Sequence, residues 1–236
     1  MDWETFFAVH RGLPREGPGA PDDVAWACAL AGLPEDASIC DAGCGPGGDI
    51  DALLAAAPGA RVVAVDRMAS FVAEADARFA GDPRVSVMEG DLGALPGPFD
   101  MIWCAGALYF LGLQDGLAAM ARALKPRGVL AFSEPCFFTE APGAEARAFW
   151  EGYPARSAEG IAAAAGAAGF EVLGTRKVPD AGWEAYYRPM EARISALRPG
   201  ADARLSEMLD LCAAEAATWR RVKGETGYLL CVARLT

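Results

Sequence analysis

Histidine is almost missing from this chain: His10 is the single imidazole in 236 residues. One histidine cannot build a histidine-rich metal centre. The seven cysteines (28, 40, 44, 104, 136, 212 and 231) are odd in number and contain no C-x-x-C pair. Neither a metal site nor a disulfide framework is expected, and the thiols read as reduced, buried small hydrophobes. Positive charge is also scarce, with 21 Lys and Arg against 32 Asp and Glu and a formal net charge of −11. The densest basic stretch, Arg220-Arg221-Val222-Lys223, is too short to track a phosphate backbone, which excludes nucleic acid as an expected partner. Long apolar runs are lacking too. The most apolar window, IAAAAGAAGF (161–170), is short and broken by glycine, so no membrane span is expected. The N-terminal MDWETFF carries acids where a secretory leader has basic residues. These absences leave a cytoplasmic protein, monomer or homodimer, that handles a small molecule.

What is present is a hydrophobic fraction of 53% and a repeated strand–helix rhythm over a length suited to one domain, 1–236. Residues 1–21 read as an irregular cap segment, with prolines 14, 18 and 21 and glycines 12, 17 and 19. Asp22 and Asp23 read as the cap of a helix to about residue 30. Strands are predicted at 38–43, 61–66, 85–91, 99–108 and 129–134, alternating with helices at 49–57, 68–80 and 114–124. The last of these helices is stopped by Lys125-Pro126-Arg127-Gly128. Short apolar runs separated by helices are how strands buried on both faces read, and they predict an open, doubly wound parallel α/β sheet. After Glu134 the rhythm breaks. Segment 135–158 is aromatic and irregular; then come a helix (157–168), a strand (170–178), two helices (182–197 and 202–221) and a final strand (227–235). Residues 22–134 therefore read as a cofactor-binding half, and 135–236 as an acceptor-side half with helical lid insertions.

The stretch CDAGCGPGGD (40–49) opens the first helix after the first strand. Its glycines fit two spacings. Gly43-x-Gly45-x-x-Gly48 suits a dinucleotide such as NAD. Asp41-x-Gly43-x-Gly45-x-Gly47 suits S-adenosylmethionine. Three successive strands end in an acid: Asp41, Asp66 and Asp91. A lone Asp after a strand is commonly a cap or turn former, whereas three beside a glycine loop suit a nucleoside with an amino-acid tail. Asp66 lies at the distance expected of a ribose-diol acceptor. Asp91, one strand further, suits an adenine amino group, and Asp41 a cationic α-amino group and sulfonium. A pyrophosphate, being an anion held by loop N–H groups, is poorly matched to Asp41, and Pro46 removes one donor.

With those residues in view, the chain resembles class I S-adenosylmethionine-dependent methyltransferases from about Ser38 to Glu134. The carrying residues are Asp41-Ala-Gly-Cys-Gly-Pro-Gly, Asp66, Gly90-Asp91-Leu92, the strand from Phe99 to Leu108, and Leu124-Lys-Pro-Arg-Gly. The resemblance implies a Rossmann-like seven-stranded sheet, mostly parallel with an antiparallel last strand. It implies that Gly43, Gly45 and Gly47 let backbone approach the methionine part. It also implies that Asp66 holds the ribose, that Arg67 or Met68 lies on the adenine face, that Asp91 and Leu92 meet adenine, and that Cys104 flanks the amino-acid end. The flanks LPREGPG (13–19) and WEAYYRPMEARI (183–194) are similar to segments of the ubiquinone/menaquinone C-methylase group. Gly48-Asp49 departs from the commoner small hydroxyl residue.

Methyl transfer from a sulfonium is an in-line displacement, so the protein mainly aligns the reactants and excludes water. His10, beside Trp3, Phe6 and Phe7, is a candidate to orient or deprotonate the acceptor beneath a cap formed by the N-terminal segment. Tyr109, after the fourth strand, and Glu134, at the end of the fifth, are candidates to face the transferable methyl and a polar acceptor group. Trp150, Tyr153, Trp183, Tyr186, Tyr187 and Arg188 suggest a pocket wall, and an inward Arg188 would favour an anionic acceptor. The competing readings are an NAD-dependent oxidoreductase and a non-catalytic S-adenosylmethionine-binding protein.

Overall fold

The computed structural model describes residues 3–236; Met1, Asp2 and the side chains of Trp3 and Glu4 lie outside the described residues. Seven strands form one sheet in the order β3-β2-β1-β4-β5-β7-β6. They are β1 (Ser38–Ala42), β2 (Arg61–Asp66), β3 (Val85–Glu89), β4 (Phe99–Cys104), β5 (Leu124–Phe137), β6 (Phe170–Lys177) and β7 (Thr226–Leu235). All neighbouring pairs from β3 to β5 are parallel, while β7 runs antiparallel to both β5 and β6. This is the Rossmann-like, mostly parallel sheet with an antiparallel last strand. Alternation along the central strands supplies two cores: Ile39, Ala64, Met101 and Ala131 face one side, and Cys40, Ile102, Leu130 and Phe132 the other. Burial on both faces is what makes these strands read as continuous apolar runs.

The helices cover both faces: α1 (Trp3–His10), α2 (Pro21–Ala31), α3 (Ile50–Ala56), α4 (Ala69–Phe79), α5 (Leu113–Ala123), α6 (Ala144–Ala148), α7 (Ala158–Ala167), α8 (Asp180–Leu197) and α9 (Ala203–Val222). Local chemistry starts several of them. Pro21 occupies the first turn of α2, and the Asp23 carboxylate accepts the Ala20 N–H at 2.9 Å. Ser157 and Asp202 accept N–H groups of Gly160 and Leu205 at the heads of α7 and α9. Helix α5 buries Leu113, Gly116, Leu117 and Met120, a stripe at three- and four-residue spacing.

The third strand ends at Glu89 instead of 91, and three larger differences from the sequence reading stand out. The N-terminal segment is not irregular throughout, because Trp3–His10 is helical, packed on α8 and α9. So short a helix is marginal alone and takes its stability from tertiary contacts that no local pattern reports. The fourth strand stops at Cys104 instead of 108, since Gly106 turns the chain at φ +74° into a 3-10 turn, Leu108–Leu111. The fifth strand extends beyond 129–134 at both ends. Lys125–Gly128 bulge out between the pairs Phe99↔Leu124 and Met101↔Val129, and pairing with β7 continues to Phe137↔Thr226. Part of the 135–158 segment is thereby tied to the sheet, and Phe137 N–H donates to Arg156 O at 2.8 Å.

Candidate active site

The carboxyl ends of β1, β2 and β4 meet at the glycine loop. Gly43, Gly45 and Gly47 have φ of +76°, +52° and +83°, a region that disfavours a Cβ, while Gly48 does not. The spacing that ends at Gly47 thus marks the backbone turns. Gly48 is small for another reason: a Cβ there would stand 2.9 Å from both the Arg15 Cβ and the Pro14 carbonyl. The segment LPREGPG lies directly against the loop, and Glu16 similarly lies over Gly45.

The strand-end acids form a staircase. Asp41 pairs with Ala64, two residues before Asp66; Asp66 pairs with Glu89, two before Asp91. Asp66 is fixed through both oxygens, Oδ2 accepting Gly45 N–H at 2.9 Å and Oδ1 accepting Met68 N–H at 2.8 Å. It therefore clamps the glycine loop, a role its spacing did not announce. Asp91 is exposed and caps the 3-10 turn Leu92–Ala94, accepting Gly93 N–H at 2.6 Å. It also lines a recess of about 330 Å³ with Arg67, Glu89 and Gly90. Met68 and Leu92 are half-buried beside this edge. Cys104 ends β4 fully buried, and the turn after it brings Ala107 so close to Gly43 that a Cβ on the glycine would stand 2.4 Å away.

Asp41 is 3% exposed, and its Oδ2 has no hydrogen-bond partner. Burial, then the nearby Asp49 and Asp66, hold its carboxyl well above the ordinary carboxylate range, against the pull of Arg15. Asp49, the departure at the head of α3, is buried and accepts Trp103 Nε1–H at 3.0 Å and an Arg15 guanidinium N–H at 3.3 Å. Arg15, Asp49 and Trp103 were not singled out by sequence. Their only sequence mark was the proline- and glycine-rich LPREGPG and the missing hydroxyl at position 49.

On the acceptor side, His10 is 2% exposed, stacked on Phe6 at 3.9 Å, with Nδ1 2.6 Å from Glu16 Oε2. Phe7 meets Phe71 of α4 at 5.6 Å, so α1 bridges from α8 and α9 to the cofactor side. Tyr109 is half-buried, edge-on to Tyr153 at 5.8 Å and stacked beside Tyr228 at 6.4 Å. Glu134 is 1% exposed; Tyr153 Oη donates to its Oε1, Oε2 has no partner, and burial raises its carboxyl to about 7. The expected wall divides. Trp183 is core, stacked between Trp219 at 5.0 Å and Tyr228 at 5.3 Å. Trp150 is half-buried and donates to Thr226 Oγ1 at 2.7 Å. Arg188 does not point inward: it is 77% exposed and pairs with Glu184, so it gives no support to an anionic acceptor. Tyr186 and Tyr187 are buried, and Tyr187 Oη donates to Glu215 Oε1 at 2.9 Å, an acid not singled out by sequence.

Comparison with known proteins places this geometry. A family model described as a methyltransferase domain matches residues 39–128. The malonyl-[acyl-carrier protein] O-methyltransferase of Enterobacter lignolyticus is 38% identical over 101 residues, 41% of this chain and 38% of that protein. The chain spans less than half the length of the curated relatives it matches. Over the whole fold, the S-adenosyl-L-homocysteine complex of a methyltransferase from Geobacter sulfurreducens superposes with a TM-score of 0.83, at 19% identity and covering 99% of this chain and 98% of that one. The [4+2]-cyclase SpnF superposes at 0.76, at 21% identity, covering 99% and 92%. The fold is that of the Rossmann-like methyltransferases. No helix among the described residues is long and apolar enough to cross a membrane.

Proposed function

We propose that this chain is an S-adenosylmethionine-dependent methyltransferase acting on a small molecule. The observation that carries the reading is the buried, unpartnered Asp41 Oδ2 beside a loop with three left-handed glycines. A desolvated carboxylate without a donor fits an ammonium group and is a poor neighbour for a pyrophosphate, which disfavours the NAD reading. The cofactor, when bound, supplies the electrophilic methyl. The residues that hold it are Asp41 at the amino-acid end, Gly43, Gly45 and Gly47 along the loop, with Cys104 behind, and Asp66 at the ribose, while Arg67, Met68, Asp91 and Leu92 receive the adenine. Each Asp66 oxygen keeps a lone pair beyond its loop bond for a ribose hydroxyl.

The likeness of the flanks to the ubiquinone/menaquinone C-methylase group supports a small-molecule acceptor. Tyr109 and the His10–Glu16 pair are its proposed neighbours, and Glu134 supports that side through Tyr153. Residues 3–19 act as a cover that excludes water from the reacting groups. A malonyl group, named in one relative, brings a carboxylate; the outward Arg188 gives no reason to carry that acceptor over.

Because a cyclase shares the fold, cofactor binding and methyl transfer are separate points to test. Calorimetry with S-adenosylhomocysteine, S-adenosylmethionine and NAD, followed by methyl-label incorporation in a metabolite extract, tests both points. Micromolar binding of the first two and none of NAD is expected, with label transferred. No binding at millimolar cofactor refutes the reading; binding without any transfer favours the non-catalytic alternative.

A further inference from the structure

We infer that Glu16 is a ligand of the cofactor, taking one ribose hydroxyl on Oε1 while Oε2 holds His10, so that filling the cofactor site sets the imidazole beside the acceptor. The inference rests on the methyl-transfer reading and adds a residue to it. Glu16 stands in the LPREGPG segment between α1 and α2, directly on the glycine loop. A Cβ on Gly45 would lie 3.3 Å from its Cγ and 3.5 Å from its Cβ. The same glycine donates its N–H to Asp66 Oδ2 at 2.9 Å. Gly45 therefore touches two acids, one from the end of β2 and one from the N-terminal cover.

The two oxygens of Glu16 are unequal. Oε2 lies 2.6 Å from His10 Nδ1, whereas Oε1 is buried without a hydrogen-bond partner among the described residues. The side chain as a whole is 16% exposed. Burial raises its carboxyl, His10 draws it down, and Glu74 of α4 and Asp66 raise it again. The neighbouring arginine gives no relief, since Arg15 donates to Gly17 O and to Asp49. A buried carboxylate oxygen beside a second acid calls for a donor between them, and a ribose diol carries two. Asp66 already spends one lone pair of each oxygen on loop N–H groups, whereas Glu16 Oε1 keeps both of its own. The diol is thus divided between Asp66 and Glu16. His10 is buried and stacked on Phe6 at 3.9 Å. In the tautomer that gives its Nδ1 proton to the Glu16 carboxylate, Nε2 is the proton acceptor. Cofactor and imidazole then share one carboxylate, and Glu16 positions His10 in step with cofactor occupancy.

Titration calorimetry on the full chain at pH 7.5 tests this with S-adenosylhomocysteine and its 2′-deoxy and 3′-deoxy analogues. One analogue should bind the wild-type protein at least tenfold more weakly than the parent. Glu16→Ala should cut that ratio at least fivefold, while Glu16→Gln, which keeps an acceptor oxygen, should leave it within threefold of wild type. The ratio for the other analogue, whose missing hydroxyl belongs to Asp66, should hold in both variants. A merely loosened cover would weaken all three ligands alike, so ratios unchanged in Glu16→Ala overturn the inference, as does a wild-type protein indifferent to both deoxygenations. With 15N-labelled histidine, the single imidazole reports the link to His10. S-adenosylhomocysteine should displace its ring signals further than the analogue lacking the hydroxyl that Glu16 takes, and equal displacements overturn that link. Failure of S-adenosylhomocysteine itself to bind overturns the methyl-transfer reading, whereas normal binding with unchanged ratios overturns the Glu16 assignment alone.

Discussion

Replacing Asp41 by Asn should move the free and the liganded protein in opposite directions. In the free protein the Asp41 carboxyl is held above its ordinary value by burial and by Asp49 and Asp66. An acid whose folded pKa is raised contributes stability that is complete below its unfolded value and is lost as pH rises through the folded one. Burying this group at pH 8, where the unfolded chain holds it ionised, therefore costs stability, and Asn removes that cost. The free Asp41→Asn protein should melt higher than wild type at pH 8, with the gap closing towards pH 4. Ligand binding should show the reverse. A charge-assisted hydrogen bond to the α-amino group is worth roughly 1.5–3 kcal/mol, so the Kd for S-adenosylhomocysteine should rise by about 10- to 150-fold. S-adenosylmethionine, with its added sulfonium, should lose at least as much. Differential scanning calorimetry of the free protein and titration calorimetry with both ligands at pH 6, 7 and 8 give all of these numbers. Wild-type affinity should strengthen with pH and the variant's should stay flat. An Asp41→Asn protein that binds within twofold of wild type, or melts lower when free at pH 8, would refute the assignment of the orphaned oxygen to a cation.

Two further perturbations address the frame of the site. Glu134 rises from 4.5 to about 7, which corresponds to about 3 kcal/mol of stability present at pH 4.5 and lost by pH 8. Glu134→Gln should be less pH-sensitive than wild type by roughly 6–12 °C in Tm across that window, and parallel melting curves would show that Glu134 is not the titrating group. Gly43→Ala forces a Cβ into a left-handed φ of +76° and to 2.4 Å from the Ala107 Cβ, which should cost about 2–4 kcal/mol. Adding Ala107→Gly should recover only the steric part of that loss in urea unfolding; full recovery would mean that the backbone conformation is not strained.

Much of the sheet was legible because its strands are buried on both faces, and a segment such as RVVAVD has few other structures open to it. Lys125-Pro126-Arg127-Gly128 was read correctly as the end of a helix, since α5 ends at Ala123. The same four residues also bulge out of β5, which is legible only once Leu124 is paired with Phe99. Helix α1 was hidden for the opposite reason. Eight residues with no strong capping signal cannot hold a helix alone, and the prolines and glycines that follow dominate the local reading.

At the site, sequence located the acids by their distance from the glycine loop but could not apportion their work. Asp91 spends one oxygen on a 3-10 cap, which is the commonplace reading of an Asp after a strand. Asp66 spends both on backbone N–H groups, so it holds Gly45 in place as well as presenting lone pairs to a ribose. Glu215 could not be separated from the other exposed acids of α9, because its distinction is the hydrogen bond it accepts from Tyr187 of α8. The ambiguity of CDAGCGPGGD has the same origin. Four glycines satisfy two fingerprints only while all four are assumed to serve the ligand. Gly43, Gly45 and Gly47 turn the loop; Gly48 leaves room for Pro14 and Arg15. The dinucleotide spacing is thus completed by a glycine whose partner is the protein's own N-terminal cover.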